Sequence, residues 1–250
     1  MLDLPALVSE ARFAEYLTWL KERPHLSENR DLTNAATGLY FWDMHVSSSL
    51  LPSISFTEVI LGNAMNEAIC NFFATDPEEG WIELVDDGID LTDRDRETVS
   101  GEYARMSRRL RRAPTGNEFV GKSTLGIWVM LLDRGDSGPG RGSLNYHTQI
   151  WGRYLNEAFP LYGRSREDRV RGRARVALLE RVRQFSVIRN RVAHHNPMFR
   201  KDVPRAVENM AQILAYIDGE ASTHLLDNEM ATTAASPETR RRFLDGEWHL

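Results

Sequence analysis

Arg189-Asn190-Arg191-Val192-Ala193-His194-His195, followed at once by Asn196-Pro197, is the stretch on which the reading of this chain turns. It closes a segment of helical periodicity, and the residue before a proline is biased away from the helical region, so a helix is predicted over 166–195. Both imidazoles then fall in its last turn. The helix macrodipole is negative there, which favours a protonated imidazole, and a neighbouring arginine completes a cationic cluster suited to a phosphate. At about 100° per residue, Asn190 and His194 share a face, as do Arg191 and His195, whereas Arg189 and His194 point well apart. One straight helix does not close Arg189 and His194 on the same atom. Two such helices about a two-fold axis can, each supplying what the other lacks. The same residue types also serve simply as dipole partners and caps of the last carbonyls.

Outward from this block, helical periodicity dominates the chain. Apolar residues at Leu4, Leu7, Val8, Ala11, Ala14, Leu17 and Leu20 form one stripe, predicting a helix over 4–20 that ends before Pro24. Further helices are predicted over 32–51, stopped by Pro52, and over 55–73, apolar on several sides and the most buried. Others are expected at 94–112, 120–132, 143–159 and 204–217. Residues 75–93 read as an irregular connection that still packs Trp81, Ile82, Leu84 and Val85. Residues 134–142, with four glycines and a proline, read as a flexible loop. Beyond Gly219 the periodicity fails, and 220–250 is expected to be a polar tail, docked through Phe243, Leu244, Trp248 and Leu250 or disordered. The expectation is an all-α protein with a helical domain over 1–219 and no internal repeat.

Arg189-Asn190-Arg191-Val192-Ala193-His194 resembles the R-(polar)-x3-H motif of HEPN domains, and the string from Ile188 to Phe199 is similar to the RNR-x-A-HH-x-P-x-F block of their Abi-like (abortive-infection-like) branch. Other segments resemble that family in the same order. They are Leu39-Tyr40-Phe41-Trp42-Asp43 (LYxWN), Phe56 to Asn63 (xxEVxLRN), Leu125 to Leu132 (LxFGxWVxLL) and Ile150-Trp151 through Ala158-Phe159-Pro160 (LW…aFp). The resemblance covers roughly residues 8 to 218, and the histidine block is its specific part. It departs at Gly62, where the pattern has arginine, and at Asn196, where it often has glutamate. The second change removes an acid beside the histidines. What the resemblance implies is a HEPN-like helical bundle with additional N-terminal and connecting helices, usually a homodimer. Its implied activity is metal-independent cleavage of RNA, in a toxin or phage-defence setting with an antitoxin or defence-system partner. Some HEPN proteins have lost catalysis and only bind RNA or protein.

Composition agrees with this class. With 250 residues, 42% of them hydrophobic, the chain can bury a core, and no apolar run approaches the length of a membrane span. Its start lacks a signal-peptide pattern and its single cysteine, Cys70, cannot form an internal disulfide, so a reducing cytoplasm is expected. The formal net charge of −5 argues against a polyanion, but its distribution does not. Between Leu161 and Arg205 thirteen Arg and Lys face four Asp and Glu, and Arg105, Arg108, Arg109, Arg111 and Arg112 form a second cluster. Such asymmetry is the footprint of RNA binding or a set of solvated helix faces.

Gly116-Asn-Glu-Phe-Val-Gly121-Lys122-Ser123 matches the phosphate-loop pattern G-x4-G-K-[ST] letter for letter. A phosphate loop must leave a buried strand and open a helix, yet Arg108-Arg-Leu-Arg-Arg-Ala-Pro114 precedes it and no βαβ alternation surrounds it. A nucleotidase is the weakest reading, and Lys122 and Ser123 are expected to begin an apolar helix. No cofactor or metal is expected: His194 and His195 are adjacent and diverge, and His25, His45, His147, His224 and His249 are scattered. The expected catalytic residues are Arg189, Asn190 and His194, with Arg191, His195, Glu58 and Asn63 in support. Glu58 and Asn63 sit in the apolar 55–73 helix, where buried polar groups need partners. They either bond across to the helix of Arg189 or form a core polar network.

Overall fold

A computed structural model describes residues 4–28, 30–82, 84–135, 144–163 and 173–247. Among them the protein is all-α, with an isolated antiparallel bridge between Gly135 and Asn145. The α-helices run in the order Leu4–Val8, Glu10–Lys21, Pro24–Ser27, Leu32–Phe73, Leu84–Asp87, Asp93–Leu110, Gly116–Lys122, Leu125–Leu132, Arg173–Ala193, Val203–Ile217, Gly219–Asn228, Ala231–Ala234 and Pro237–Leu244. None is long and apolar enough to cross a membrane.

Several boundaries differ from those the sequence predicts. The first stripe is cut at Ser9, whose φ of 75° breaks the helix and whose hydroxyl accepts the Arg12 N–H at 3.4 Å to cap the next one. Pro52 does not stop its helix: Leu32–Phe73 runs unbroken for 42 residues. An interior proline costs about 3 kcal/mol. Leu50 and Ile54 flank it and are both buried, at about 1.5–3 kcal/mol each, enough to hold the helix through the lost bond. The 143–159 segment is instead a π-turn, His147–Trp151, and a 3-10 turn, Leu155–Ala158. Tyr146, Ile150, Trp151, Tyr154, Leu155 and Phe159 are all buried, and no single α-helical face holds them all. Residues 136–142 of the predicted loop, 143 of the helix predicted after it, 166–172 of the helix predicted over 166–195, and Trp248 and Leu250 of the expected tail lie outside the described residues.

The chain gathers into two compact units, the first comprising Met1–Ser53, Ile188–Glu208 and Asn228–Leu250, the second Ile54–Val187 and Asn209–Asp227. Residues 220–247 of the expected 220–250 polar tail are largely helical, and from Asn228 they belong to the first unit. There Trp42 Nε1 donates to the Ala234 carbonyl at 2.9 Å, Arg30 pairs with Asp245 at 2.6 Å and His45 stacks on Phe243. Short helices with few apolar residues show no stripe long enough to read, which is why periodicity missed them. The second unit is built on aromatics: Trp81 lies against Phe119 and Trp128, with centroids 5.8 and 6.0 Å away, and all three are buried.

Candidate functional site

The helix Arg173–Ala193 ends in a Schellman arrangement built from the histidine block. His195 N–H bonds the Val192 carbonyl at 3.1 Å and Asn196 N–H bonds the Arg191 carbonyl at 2.8 Å, with His195 left-handed at φ 53°. Glycine is the usual residue at this position because a Cβ is strained there. The helix therefore stops two residues earlier than Asn196-Pro197 alone suggests. His194 and His195 form the exit turn rather than the last helical turn.

Three side chains hold that turn. Arg12 Nη2 donates to the His195 carbonyl, and Arg191 donates through Nε, at 3.1 Å, and Nη2 to the Pro197 carbonyl. Past it, Pro197, Met198 and Phe199 are buried, and the Met198 N–H donates to Asp43 Oδ1 at 2.6 Å. Tyr16 donates its hydroxyl to Asp43 Oδ2 at 3.2 Å, and the Tyr16 and Trp19 rings pack on Phe199 at 5.0 and 5.5 Å. Burial pushes the Asp43 carboxyl up to about 6, although the Met198 and Phe199 N–H groups, Tyr16 and the Arg191 charge all favour its ionised form. Burial, the dominant cause, and the Asp43 carboxylate push the Tyr16 phenol well above its ordinary range. Asp43, Tyr16 and Arg12 carry no role in the sequence reading. The available signal was the i, i+4, i+7 spacing of Arg12, Tyr16 and Trp19, which puts a cation and two polar-tipped aromatics on one face.

With the backbone so satisfied, the side chains of Asn190, His194 and His195 are exposed, and half-buried Arg189 has its Nη1 3.3 Å from Asn190 Oδ1. Arg191 faces the exit loop instead. Of the expected site residues, Arg189 and Asn190 are in contact and His194 and His195 follow in the exit turn, while Arg191 holds that turn together with Arg12 and Asp43. Glu58 and Asn63 belong to the second unit. Glu58 is half-buried, and Asn63 is exposed rather than a buried polar group. The buried amide is Asn66, which donates to the Pro77 carbonyl at 3.0 Å and accepts from Cys70 Sγ at 3.6 Å. Cys70 is buried, which pushes its thiol up and away from reactivity. At Gly62 a Cβ would stand 3.2 Å from Trp128 Nε1, so a side chain there would need the indole to shift by a few tenths of an ångström.

Much of the charge asymmetry resolves into structure. Arg175 donates to the Leu132 carbonyl at 2.6 Å, Arg181 to Asn209 Oδ1 at 3.3 Å and Arg183 to Asp133 at 2.8 Å. In the second cluster Arg105 pairs with Glu102 and Arg112 with Glu118. Arg164, Arg166, Arg169 and Arg171 lie outside the described residues.

The phosphate-loop look-alike is a helix, not a loop. Gly116–Lys122 is closed at its start by a capping box: Thr115 Oγ1 accepts the Glu118 N–H at 3.3 Å and Glu118 accepts the Thr115 N–H at 3.0 Å. Arg112 grips Glu118 at 2.6 and 2.8 Å and, with the capping bond, holds its carboxyl down at about 2, while Lys122 Nζ sits 3.4 Å from it. Lys122 and Ser123 therefore end a helix instead of beginning one, and the apolar helix starts at Leu125. Gly116 is required for another reason: a Cβ there would lie 1.5 Å from the Glu79 carbonyl oxygen.

Among the described residues no three His, Cys, Asp or Glu side chains gather as a metal site would. Compared with family models, curated proteins and solved structures, the chain finds no match in any of the three.

Proposed function

We propose that the protein is a metal-independent endoribonuclease of the Abi-like branch of the HEPN superfamily, acting as a homodimer in a toxin or phage-defence setting with an antitoxin or defence-system partner. The observation that carries this reading is the histidine turn itself. Its backbone is satisfied internally and by Arg12, Arg191 and Asp43, which leaves the side chains of Asn190, His194 and His195 exposed. In the proposed reaction His194 takes the proton of a ribose 2′-hydroxyl, and the 2′-oxygen attacks the adjacent phosphorus. Arg189 stabilises the pentavalent phosphate and Asn190 orients His194 or the phosphate. The bond to the 5′-oxygen breaks and that oxygen takes up a proton, giving a 2′,3′-cyclic phosphate and a 5′-hydroxyl. Because His194, whose N–H still bonds the Asn190 carbonyl at 3.0 Å, follows Arg189 by five residues at helical spacing and so points away from it, each site is expected to pair the Arg189 of one copy with the His194 of the other.

The test is cleavage of several RNA pools by purified protein, with and without magnesium and with EDTA, read by end-group analysis. His194-dependent cleavage that survives EDTA and leaves cyclic phosphate ends supports the reading, and its absence removes it. A second reading, a non-catalytic RNA- or protein-binding HEPN module, is favoured by one observation. Among the described residues no group hydrogen-bonds the His194 imidazole to fix its tautomer. Salt-sensitive RNA affinity that survives His194→Ala, without cleavage, would favour it.

A further inference from the structure

Two guanidiniums in the first unit sit on one buried indole. Arg23 lies over Trp19, 4.4 Å from its centroid, and Arg240 lies 5.6 Å from Trp19 and 5.5 Å from Trp42, while both tryptophans are buried. Trp42 is fixed through its Nε1 bond to the Ala234 carbonyl, so the floor is rigid. A third cation, Arg200, stands over Phe199 at 5.5 Å, and Phe199 itself packs on Trp19 at 5.5 Å. The carboxylate that meets these cations is Glu22, 3.1 Å from Arg23 and 4.0 Å from Arg200. Among the described residues the Arg240 guanidinium has no carboxylate or hydrogen-bond partner, and the residue is half-buried. The cluster thus holds positive charge in excess of its single acid on an aromatic floor, in a partly desolvated place where like charges repel. Arg23 Nη1 is engaged by the Trp19 carbonyl at 3.2 Å and by Glu22, so an anion that meets the remaining Arg23 N–H groups and the Arg240 fork relieves that repulsion.

The position matters as much as the charge. Arg12, which holds the His195 carbonyl, and Trp19 share the helix Glu10–Lys21, seven residues or roughly 10 Å apart along its axis. The cluster therefore lies along the helix whose Arg12 holds the histidine turn, within one unit.

We propose that Arg23 and Arg240, seated on Trp19 and Trp42, form a phosphate subsite that holds the RNA strand to one side of the histidine turn. The proposal rests on the ribonuclease reading for its ligand. Since both indoles are already covered, the subsite takes backbone phosphate and gives no base preference. It fixes where the strand lies, so it acts on binding of longer RNA and not on the chemical step.

The test uses the full chain and a fluorescent 2′-O-methyl RNA dodecamer, which binds without being cleaved. The Arg23→Gln/Arg240→Gln variant is expected to bind it at least ten-fold more weakly, with a salt slope reduced by about 0.7 for each phosphate that is no longer neutralised. Arg241→Gln removes the same charge from an exposed neighbour on the Arg240 helix and is expected to change neither. Should the double variant fold poorly by circular dichroism, Arg240→Lys is measured instead. It keeps the charge, loses the fork, and is expected to weaken binding two- to five-fold. Double-variant affinity and salt slope equal to those of wild type, or equal to Arg241→Gln, overturn the subsite. So does a wild type that binds poly-glutamate as tightly as RNA, which would assign the cluster to an acidic protein partner. The two readings separate cleanly: binding lost in the double variant with no cleavage by wild type sinks the ribonuclease and keeps the subsite. Cleavage by wild type with the double variant's KM for long RNA unchanged does the reverse.

Discussion

Two segments of this chain match a sequence pattern for phosphate chemistry, Gly116–Ser123 and Arg189–His195, and they fold to opposite outcomes. In the first, the polar groups are consumed locally: Thr115 and Glu118 cap the helix and each other, and Arg112 and Lys122 both spend their charge on Glu118. In the second, the backbone is closed by Schellman bonds and by residues brought from elsewhere, Arg12 and Asp43, so Asn190, His194 and His195 remain exposed. The letters of a motif carry chemistry only when its side chains are left over after the backbone has been satisfied. The first segment matches its pattern in full, but its Lys122 is paired with Glu118 and its Ser123 hydroxyl bonds the Val120 carbonyl. The second has a surplus because distant residues take on the structural work.

The largest effect that sharpens this contrast is on catalysis. Under the proposed mechanism Arg189→Ala and His194→Ala each lower RNA cleavage by a factor on the order of 100 or more while circular dichroism stays unchanged. If the site is shared between copies, mixing the two inactive variants restores cleavage to about a quarter of wild type, because half the dimers are mixed and each mixed dimer has one intact pair. No restoration, with dimers exchanging by light scattering, places both residues in one copy or removes the role of one of them.

The supporting residues come next, because they are what leaves the histidine turn free. Asp43→Ala strands the buried Met198 N–H and the Tyr16 hydroxyl and is expected to cost about 2–4 kcal/mol in urea unfolding. Asp43→Asn keeps an acceptor for the N–H and should be far milder. Its signature is in pH. The Asp43 carboxyl moves from an ordinary 3.8 to about 6 on folding, so between those values the folded state binds more protons than the unfolded one. Stability from this group is full below pH 4 and is lost as pH rises through 6, by at most about 3 kcal/mol. Asp43→Asn is expected to flatten that part of the profile, and an unchanged slope between pH 4 and 6 would assign it to other groups.

How much of this was legible follows from what each residue does. The helical class, and the helices at 94–112 and 204–217, were readable because burial there repeats at the helical period. Val203–Ile217 buries Val203, Ala206, Val207, Met210, Ala211, Ile213 and Leu214 on one side. Pro52 misled because its cost is local, while the burial that outweighs it is tertiary. Ser9 misled in the other direction, since a single left-handed serine interrupts a stripe whose spacing continues unbroken. In the candidate site the exposed residues were legible as a string, but their supports were not. Asp43 sits 155 residues from the Met198 it binds and Arg12 lies 183 from His195. Nothing local in either sequence segment predicts such a pairing. The charge count between Leu161 and Arg205 did not show that Arg175, Arg181, Arg183 and Arg191 satisfy carbonyls, an amide and a carboxylate.

A smaller effect concerns strain at the turn. His195 holds a left-handed conformation that costs a non-glycine residue about 1–2 kcal/mol. His195→Gly should therefore stabilise the fold by about 1 kcal/mol, raising Tm by roughly 2–4 °C for a chain of this size. Since His194 carries the proton in the proposed reaction, cleavage should fall far less than in His194→Ala. A loss as deep as that of His194→Ala would exchange the roles of the two histidines, and the retained strain would then be the cost of placing the catalytic one.

The smallest effect tests the other half of the comparison. Lys122 pairs with Glu118 on an exposed helix face, so Lys122→Ala removes an ion pair worth at most about 0.5 kcal/mol and should leave RNA cleavage unchanged. ATP should leave Tm where it is, with or without magnesium. A nucleotide bound at a hundred times its dissociation constant would stabilise the fold by about 2.7 kcal/mol, a shift easily seen in a melting curve. To admit a phosphate, the helix Gly116–Lys122 would have to unwind, break the Thr115–Glu118 capping box and release Arg112 and Lys122 from Glu118. ATP stabilisation that disappears in Lys122→Ala would mean that this rearrangement happens. The rule that separates the two segments would then fail at the place where it makes its most definite claim.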